Sequence, residues 1–187
     1  LDSTYEKVFM GKNAGRVWVH AHHGVNNLED IFSKLRYMII GLDCRWMVVD
    51  HLHMFVLATL ESDERKAIDG IMHRLRTMVE ETGCGMILVS HLRRIDGNRG
   101  HENGIETGLN HLRGSQSIAQ LSDCVISLER NQQSEDELEA STTKVRVLKS
   151  RYTGDVGVAT QLMYDSETGR LRELGEYDES QFERDII

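Results

Sequence analysis

Residues 85–113 constrain the fold more than any other stretch. They open on a short apolar run, Gly85-Met86-Ile87-Leu88-Val89, which closes on Ser90-His91. A run this short, bounded by glycine, reads as a buried strand of a parallel sheet. Open α/β sheets bind ligands at the carboxyl ends of their strands, and Ser90 and His91 occupy such an end. The polar loop that follows carries Arg93, Arg94 and Arg99 with Gly97 and Gly100, and it is longer than a connection needs. Arginine forks grip phosphate oxygens, and glycines let the backbone approach and donate N–H groups. No aromatic residue stands between these arginines, so the expected grip is on a nucleic-acid backbone rather than on bases. A solvated charged loop is the alternative reading.

The same grammar recurs upstream. Trp46-Met47-Val48-Val49-Asp50 is a second buried strand ending in a carboxylate, and residues 17–20 (Val-Trp-Val-His) are a third candidate. Between them, Asn27 caps a helix with its apolar face on Leu28, Ile31, Phe32, Leu35 and Ile39, stopped by Gly41. Ser62 is expected to cap the clearest helix, whose stripe is Ile68, Ile71, Met72, Leu75 and Val79, closed by Gly83. Downstream, a short helix is expected over 117–121 and a strand over 124–129. An acidic hairpin connection over 131–143 leads to strands over 144–149 and 158–164, with turns at Gly154-Asp155 and at 165–169. The pattern is α/β at first, then antiparallel hairpins.

A length of 187 residues is enough for one domain with a sizeable core, here expected over 1–175 with an acidic, loose tail over 176–187. The net charge of −8 argues against a surface that coats nucleic acid generally, but leaves room for a local basic loop. No apolar run reaches the length of a membrane span, so no membrane partner is expected. Cys44, Cys84 and Cys124 form no CxxC pair; each adjoins an expected strand and reads as a buried thiol of a reducing compartment.

Several side chains carry possible chemistry. An apolar strand ending in Asp50 has the form of a Walker B element, whose carboxylate holds Mg²⁺ beside nucleotide phosphates; a helix cap is the alternative. His91 at the next strand end can hydrogen-bond a terminal phosphate, or be a satisfied, half-buried imidazole. Lys149 and Arg151 stand at alternate positions and share a face, as a phosphate-reaching pair or as an edge-strand surface pair. The histidines of His20-Ala21-His22-His23 and of His51-Leu52-His53 are metal ligands by type. No Cys/His/Asp framework completes a site in the sequence, so polar packing at the sheet top is the expected role.

In their order these elements resemble the helicase domain of phage-type replicative primase–helicases. That RecA-like family also includes mitochondrial Twinkle and, more distantly, DnaB-type helicases. The matching text is Val49-Asp50-His51, Glu61-Ser62-Asp63-Glu64-Arg65-Lys66, Val89-Ser90-His91-Leu92, Leu112-Arg113-Gly114-Ser115, Gln120-Leu121-Ser122-Asp123, Leu128-Glu129-Arg130-Asn131-Gln132-Gln133 and Lys149-Ser150-Arg151-Tyr152-Thr153-Gly154-Asp155. The resemblance implies an α/β, RecA-like P-loop NTPase core: a mostly parallel sheet flanked by helices, with C-terminal antiparallel strands. It implies that Asp50 is the Walker B acid and metal residue. His91 would be the γ-phosphate sensor and Gln120 a second sensor. Arg151 would be a finger supplied to the next subunit, with Lys149 beside it. Arg130 and Tyr164 match positions around the nucleotide base. Arg93, Arg94, Arg99, Arg113 and Gly114 fall in or beside loops lining a DNA channel, and Gly97 stands where the family often has lysine.

One departure is large. The Walker A loop GxxxxGK[ST] does not occur in the 187 residues, and Gly11-Lys12-Asn13-Ala14-Gly15 does not fit it. The first strand, that loop, its helix and the catalytic glutamate after it are therefore expected to be missing, as in a carboxyl-terminal part of a helicase domain. The resemblance further implies Mg²⁺ with ATP or dTTP, single-stranded DNA, a homo-oligomeric (hexameric) ring, a primase domain, a replicative polymerase and a cytoplasmic site of action. The rival expectations are a RecA-type recombinase and a catalytically dead module that joins rings or binds DNA.

Overall fold

The side chain of Asn27 accepts the Asp30 amide at 2.9 Å and so starts α1 (Leu28–Arg36). The helix runs on as a π-helical turn, Tyr37–Gly41, and ends at the expected glycine. This computed structural model describes residues 17–20, 27–93, 100–101, 103–114 and 116–174. The chain divides into two compact units, Leu1–His91 and Leu92–Ile187.

In the first unit, β1 (Trp46–Val49) pairs in parallel with β2 (Gly85–Leu88), Val49 standing opposite Leu88. Two helices connect them: α2 (His53–Leu57), which the apolar pattern does not announce, and the long α3 (Glu64–Thr82). The cap of α3 is Asp63, one residue beyond the expected Ser62. Its carboxylate accepts the amides of Arg65 and Lys66, satisfying two of the four free donors of the first turn. Gly83 closes the helix in the left-handed region, φ +69°, where an L side chain would be strained. The buried stripe is Ile68, Ile71, Met72, Leu75 and Met78; Met78 takes the place expected for Val79, which is half-buried. Phe32 and Leu35 from α1, Met47 from β1, and Leu52 and Phe55 are buried as well, with Phe32 and Phe55 rings 5.6 Å apart. Each such aliphatic or aromatic side chain contributes roughly 1.5–3 kcal/mol by leaving water. Residues 17–20 are not a strand, contrary to the pattern: they make no ladder bonds in this unit.

In the second unit, β3 (Cys124–Glu129), β4 (Thr142–Ser150), β5 (Gly157–Asp165) and β6 (Arg170–Glu173) form an antiparallel sheet in that order. The helix α4 (Ser117–Leu121) precedes it, as expected. The acidic connection between β3 and β4 is more than a hairpin loop. It contains α5 (Glu137–Ser141), started by the Asp136 carboxylate on the Leu138 amide at 2.9 Å. The strand β3 turns its sides against hydropathy: Val125, Ser127 and Glu129 are buried, while Ile126 and Leu128 are 57% and 68% exposed. Glu129 explains the inversion. One oxygen of its carboxylate accepts from the Thr107 amide at 2.8 Å, the Ser127 hydroxyl at 3.1 Å and Arg146 Nε at 3.0 Å. Arg146 in turn pairs with Glu106 at 2.6 Å. A buried carboxylate is tolerated when several donors and a paired cation surround it. Of the cysteines, Cys84 is buried, Cys44 half-buried and Cys124 exposed; Cys124 falls on the outward face of β3, so the buried reading fails there. The acidic tail, 176–187, lies outside the described residues, as do residues 1–16 with Gly11–Gly15.

Candidate functional site

The ladder between β1 and β2 continues past both strands. Val89 donates to the Val49 carbonyl at 2.9 Å, and Leu52 donates to the Val89 carbonyl at 2.9 Å. These two bonds hold the 50–52 turn against the end of β2, so Asp50 and His91 leave neighbouring strand ends. The Asp50 carboxylate is exposed, and the Asp50–His51 peptide bond is cis. Three imidazoles gather here. His51 and His91 ring centroids are 4.2 Å apart, His53 and His91 5.3 Å, and His51 and His53 5.9 Å. One ring nitrogen from each lies within 4.8 Å of the others. His91 is exposed, His51 half-buried and His53 buried, with Glu64 Oε1 3.6 Å from His53 Nε2. His51 Nδ1 and Ser90 Oγ are buried without a hydrogen-bond partner among the described residues.

For Mg²⁺ the donor set is adequate but thin. This ion is usually held by one or two carboxylates, with phosphate and water oxygens completing its shell. Asp50 supplies one exposed carboxylate at the strand end, and the imidazoles beside it are not donors that Mg²⁺ prefers. The residues present therefore fit an ion held from Asp50 with phosphates supplying the rest.

A second grouping belongs to the other unit. Lys149, near the end of β4, donates to the carbonyls of Ala119, Gln120 and Ser122 at 2.6, 3.2 and 2.8 Å. All three ammonium protons are thus spent on the carboxyl end of α4, whose last carbonyls have no partners within the helix. Arg151 follows β4. It donates through Nη2 to the Gln120 carbonyl at 3.0 Å, pairs through Nη1 with Asp123 Oδ1 at 2.9 Å, and bonds the Asp123 carbonyl through its amide at 2.8 Å. Gln120, Lys149 and Arg151 are therefore brought together, with the Gln120 side chain exposed. Arg130 donates through Nε to the Ala140 carbonyl at 2.5 Å, which ties it to α5. Tyr164 stands on β5 opposite Leu171 and is exposed.

The loop after His91 is closed at its base. Leu92 and Leu112 form an antiparallel bridge, and the Arg93 amide donates to the His111 carbonyl at 2.9 Å. His101 Nε2 contacts the Arg93 carbonyl at 3.2 Å. Arg93, Arg113 and Gly114 are exposed around this base, and Gly114 has φ +107°. Arg94, Gly97 and Arg99 lie outside the described residues, as do His22 and His23.

Three partners at these sites are not legible in the local sequence. His53 and His51 meet a third imidazole from the next strand end, which local spacing could not reveal. Asp123 is the carboxylate that holds Arg151. The Glu129 cluster is visible only as a charged residue in an alternating strand.

A family model for the DnaB-like helicase C terminal domain matches residues 10–173. The chain belongs to this family. Against the DNA helicase/primase of Enterobacteria phage T3, this DnaB-like domain is 41% identical over 143 residues, which is 76% of the chain and 25% of that protein. It thus spans a quarter of the length of that curated relative. A KaiC-like protein from the hyperthermophilic archaeon Pyrococcus horikoshii OT3 superposes with a TM-score of 0.59 at 13% identity, covering 93% of the chain and 64% of that structure. The latter likeness concerns the fold. The DnaB-like domain is an α/β, RecA-like core with antiparallel C-terminal strands. No helix among its described residues is long and apolar enough to cross a membrane.

Proposed function

We propose that this chain is the sensor-and-finger part of a ring-forming replicative DNA helicase, which couples NTP hydrolysis to movement along single-stranded DNA. The observation that carries the reading is the pairing of β1 with β2, which sets Asp50 and His91 on adjacent strand ends within a domain of the DnaB-like helicase family. Asp50 would hold Mg²⁺ against the phosphates of ATP or dTTP, and the bound ion would neutralise charge developing there. His91 would hydrogen-bond the γ-phosphate and register its loss. Directly after it comes the Leu92–Leu112 bridge, so a shift of the strand end would move the base of the loop that bears Arg93, Arg94 and Arg99. Those arginines, with Arg113 and the backbone at Gly114, would track DNA phosphates.

Arg151 would act on a nucleotide bound by the neighbouring subunit of a hexameric ring, where fingers in related NTPases contribute about 10³–10⁵ in rate. Gln120 and Lys149 would set its position through the contacts on α4. To reach across, Arg151 must release Asp123, so the ion pair is a resting position for the finger. Arg130 and Tyr164 would border the base. The T3 relative is a DNA helicase/primase, which supports a primase domain in the same protein; a replicative polymerase partner and action in the cytoplasm follow from the proposed replicative role.

The test is a His91→Ala substitution in the complete gene product. Loss of DNA-stimulated NTP hydrolysis and of unwinding, with ring assembly kept, is expected. Unwinding at the parental rate would sink the reading. The 187-residue chain by itself contains no GxxxxGK[ST] loop and is expected to hydrolyse no NTP; measurable turnover by it would overturn that part.

A further inference from the structure

We propose that His51, His53 and His91 form a site for a borderline transition-metal ion of the Zn²⁺, Co²⁺ or Ni²⁺ class, separate from the Mg²⁺ carried with nucleotide. The observations are geometric. Three imidazole nitrogens lie within 4.8 Å of one another, contributed by the turn after β1, the first residue of α2 and the end of β2. Tetrahedral coordination at a metal–nitrogen distance of about 2.0–2.1 Å puts nitrogens roughly 3.3 Å apart, so the widest pair closes by about 1.5 Å, within reach of side-chain rotation. The backbone is already fixed for this. Leu52 is fully buried and bonded to the Val89 carbonyl, which holds the two flanking histidines beside His91.

Chemistry selects the ion class. Three neutral imidazoles with an open fourth position suit Zn²⁺ and its neighbours, whereas Mg²⁺ and Ca²⁺ take oxygen. The Asp50 carboxylate falls outside the group. His51 Nδ1 is a buried nitrogen with no hydrogen-bond partner among the described residues, and a metal bond at that atom would satisfy it. Glu64 stands beside His53, where carboxylates commonly orient a metal-bound imidazole. The exposure of His91 opens the fourth position to water. A further consequence rests on the phosphate-sensing reading of His91 above: a ring held by metal cannot reorient toward a phosphate, so occupancy would stall the sensor.

The test is titration of the metal-free 187-residue chain with Co²⁺, without nucleotide, followed by visible spectroscopy and Zn²⁺ competition. Intense d–d bands of a four-coordinate nitrogen site, displaced by Zn²⁺, are expected. His53→Gln and His91→Ala should each weaken binding at least tenfold. His91 is exposed, so its variant reports binding even if the buried His53 variant unfolds, which circular dichroism would reveal. A His101→Ala/His111→Ala double variant removes the other close histidine pair among the described residues, rings 5.3 Å apart, and should bind as the parent does. Equal affinity in the parent and the His91→Ala chain, or only the weak spectrum of a six-coordinate ion, would overturn the proposal. Because no nucleotide is present, this outcome is independent of the hydrolysis test on His91, and either reading can fail alone.

Discussion

The two units bury opposite kinds of surface. The first closes over an aliphatic stripe, Ile68, Ile71, Met72, Leu75 and Met78, against Phe32, Leu52 and Phe55. The second turns Ser127 and Glu129 of β3 inward and leaves Ile126 and Leu128 outward, so an ion-paired carboxylate sits where a leucine would be expected. The first kind of interior is non-directional and tolerates change in proportion to volume lost. The second depends on a few donors being in place, and fails when one is removed.

That contrast can be broken most severely at Glu129. Glu129→Ala removes the shared acceptor of the Thr107 amide, the Ser127 hydroxyl and Arg146 Nε, leaving Arg146 with Glu106 alone, and is expected to cost about 3–5 kcal/mol, the range for breaking a buried pair. Amide exchange should accelerate in β3–β5 while α3 keeps its protection; equal acceleration in both units would show that they do not unfold separately. Next comes Ile71→Ala, expected to cost roughly 2–5 kcal/mol by lost transfer energy and cavity formation. Urea unfolding that shows less than about 1 kcal/mol would mean that the stripe around α3 collapses to fill the space.

Lys149→Met sharpens the comparison at an intermediate level. It removes three donors from the carboxyl end of α4 and should destabilise by about 1–3 kcal/mol. It should also free Arg151 to sample other rotamers, seen as line broadening of its Nε–H resonance; an unchanged resonance would show that Asp123 alone fixes the arginine.

The smallest effect is expected at the surface of the first unit. Hydrogen bonds from Arg74, whose guanidinium lies 3.9 Å over the Phe32 ring, hold the Glu29 carboxyl below its ordinary range. A depressed carboxylate contributes stability that is present above the unfolded glutamate pKa, about 4.3, and is lost as pH falls through the lower folded value. Melting temperatures of the parent and Glu29→Gln chains should therefore differ slightly at neutral pH and converge in acid. A gap that widens in acid would reverse the assigned sign.

Legibility in the sequence follows the same division. Helix period, caps and glycine stops located α1 and α3 within a residue or so, because an amphipathic helix writes its buried face into local spacing. The strand ends at Asp50 and His91 were equally plain. Of the three five-residue helices, α4 is expected from the sequence while α2 and α5 are not, because so short a segment carries little helical period to read. Residues 17–20 form no strand, because apolar composition alone cannot supply a pairing partner. The outward face of β3 was illegible for a different reason: what inverts it is Arg146, a residue of the next strand. The histidine group likewise needs a third member from another strand end, and Arg151 an acid from before β3. Local pattern records what a segment buries, while these sites record which segments meet.

The closed base of the loop after His91 has a consequence for its evolution and engineering. The chain enters and leaves residues 94–99 through Arg93 and His101, which already contact each other, and the Leu92–Leu112 bridge lies beneath them. Length added between those points leaves the base intact and is charged only the slowly growing entropy of a larger closure, about 0.6 kcal/mol for each doubling. Segments of different length or sequence can therefore be exchanged between those points while the Leu92–Leu112 bridge and the Arg93–His101 contact stay in place, a socket into which different segments can be spliced.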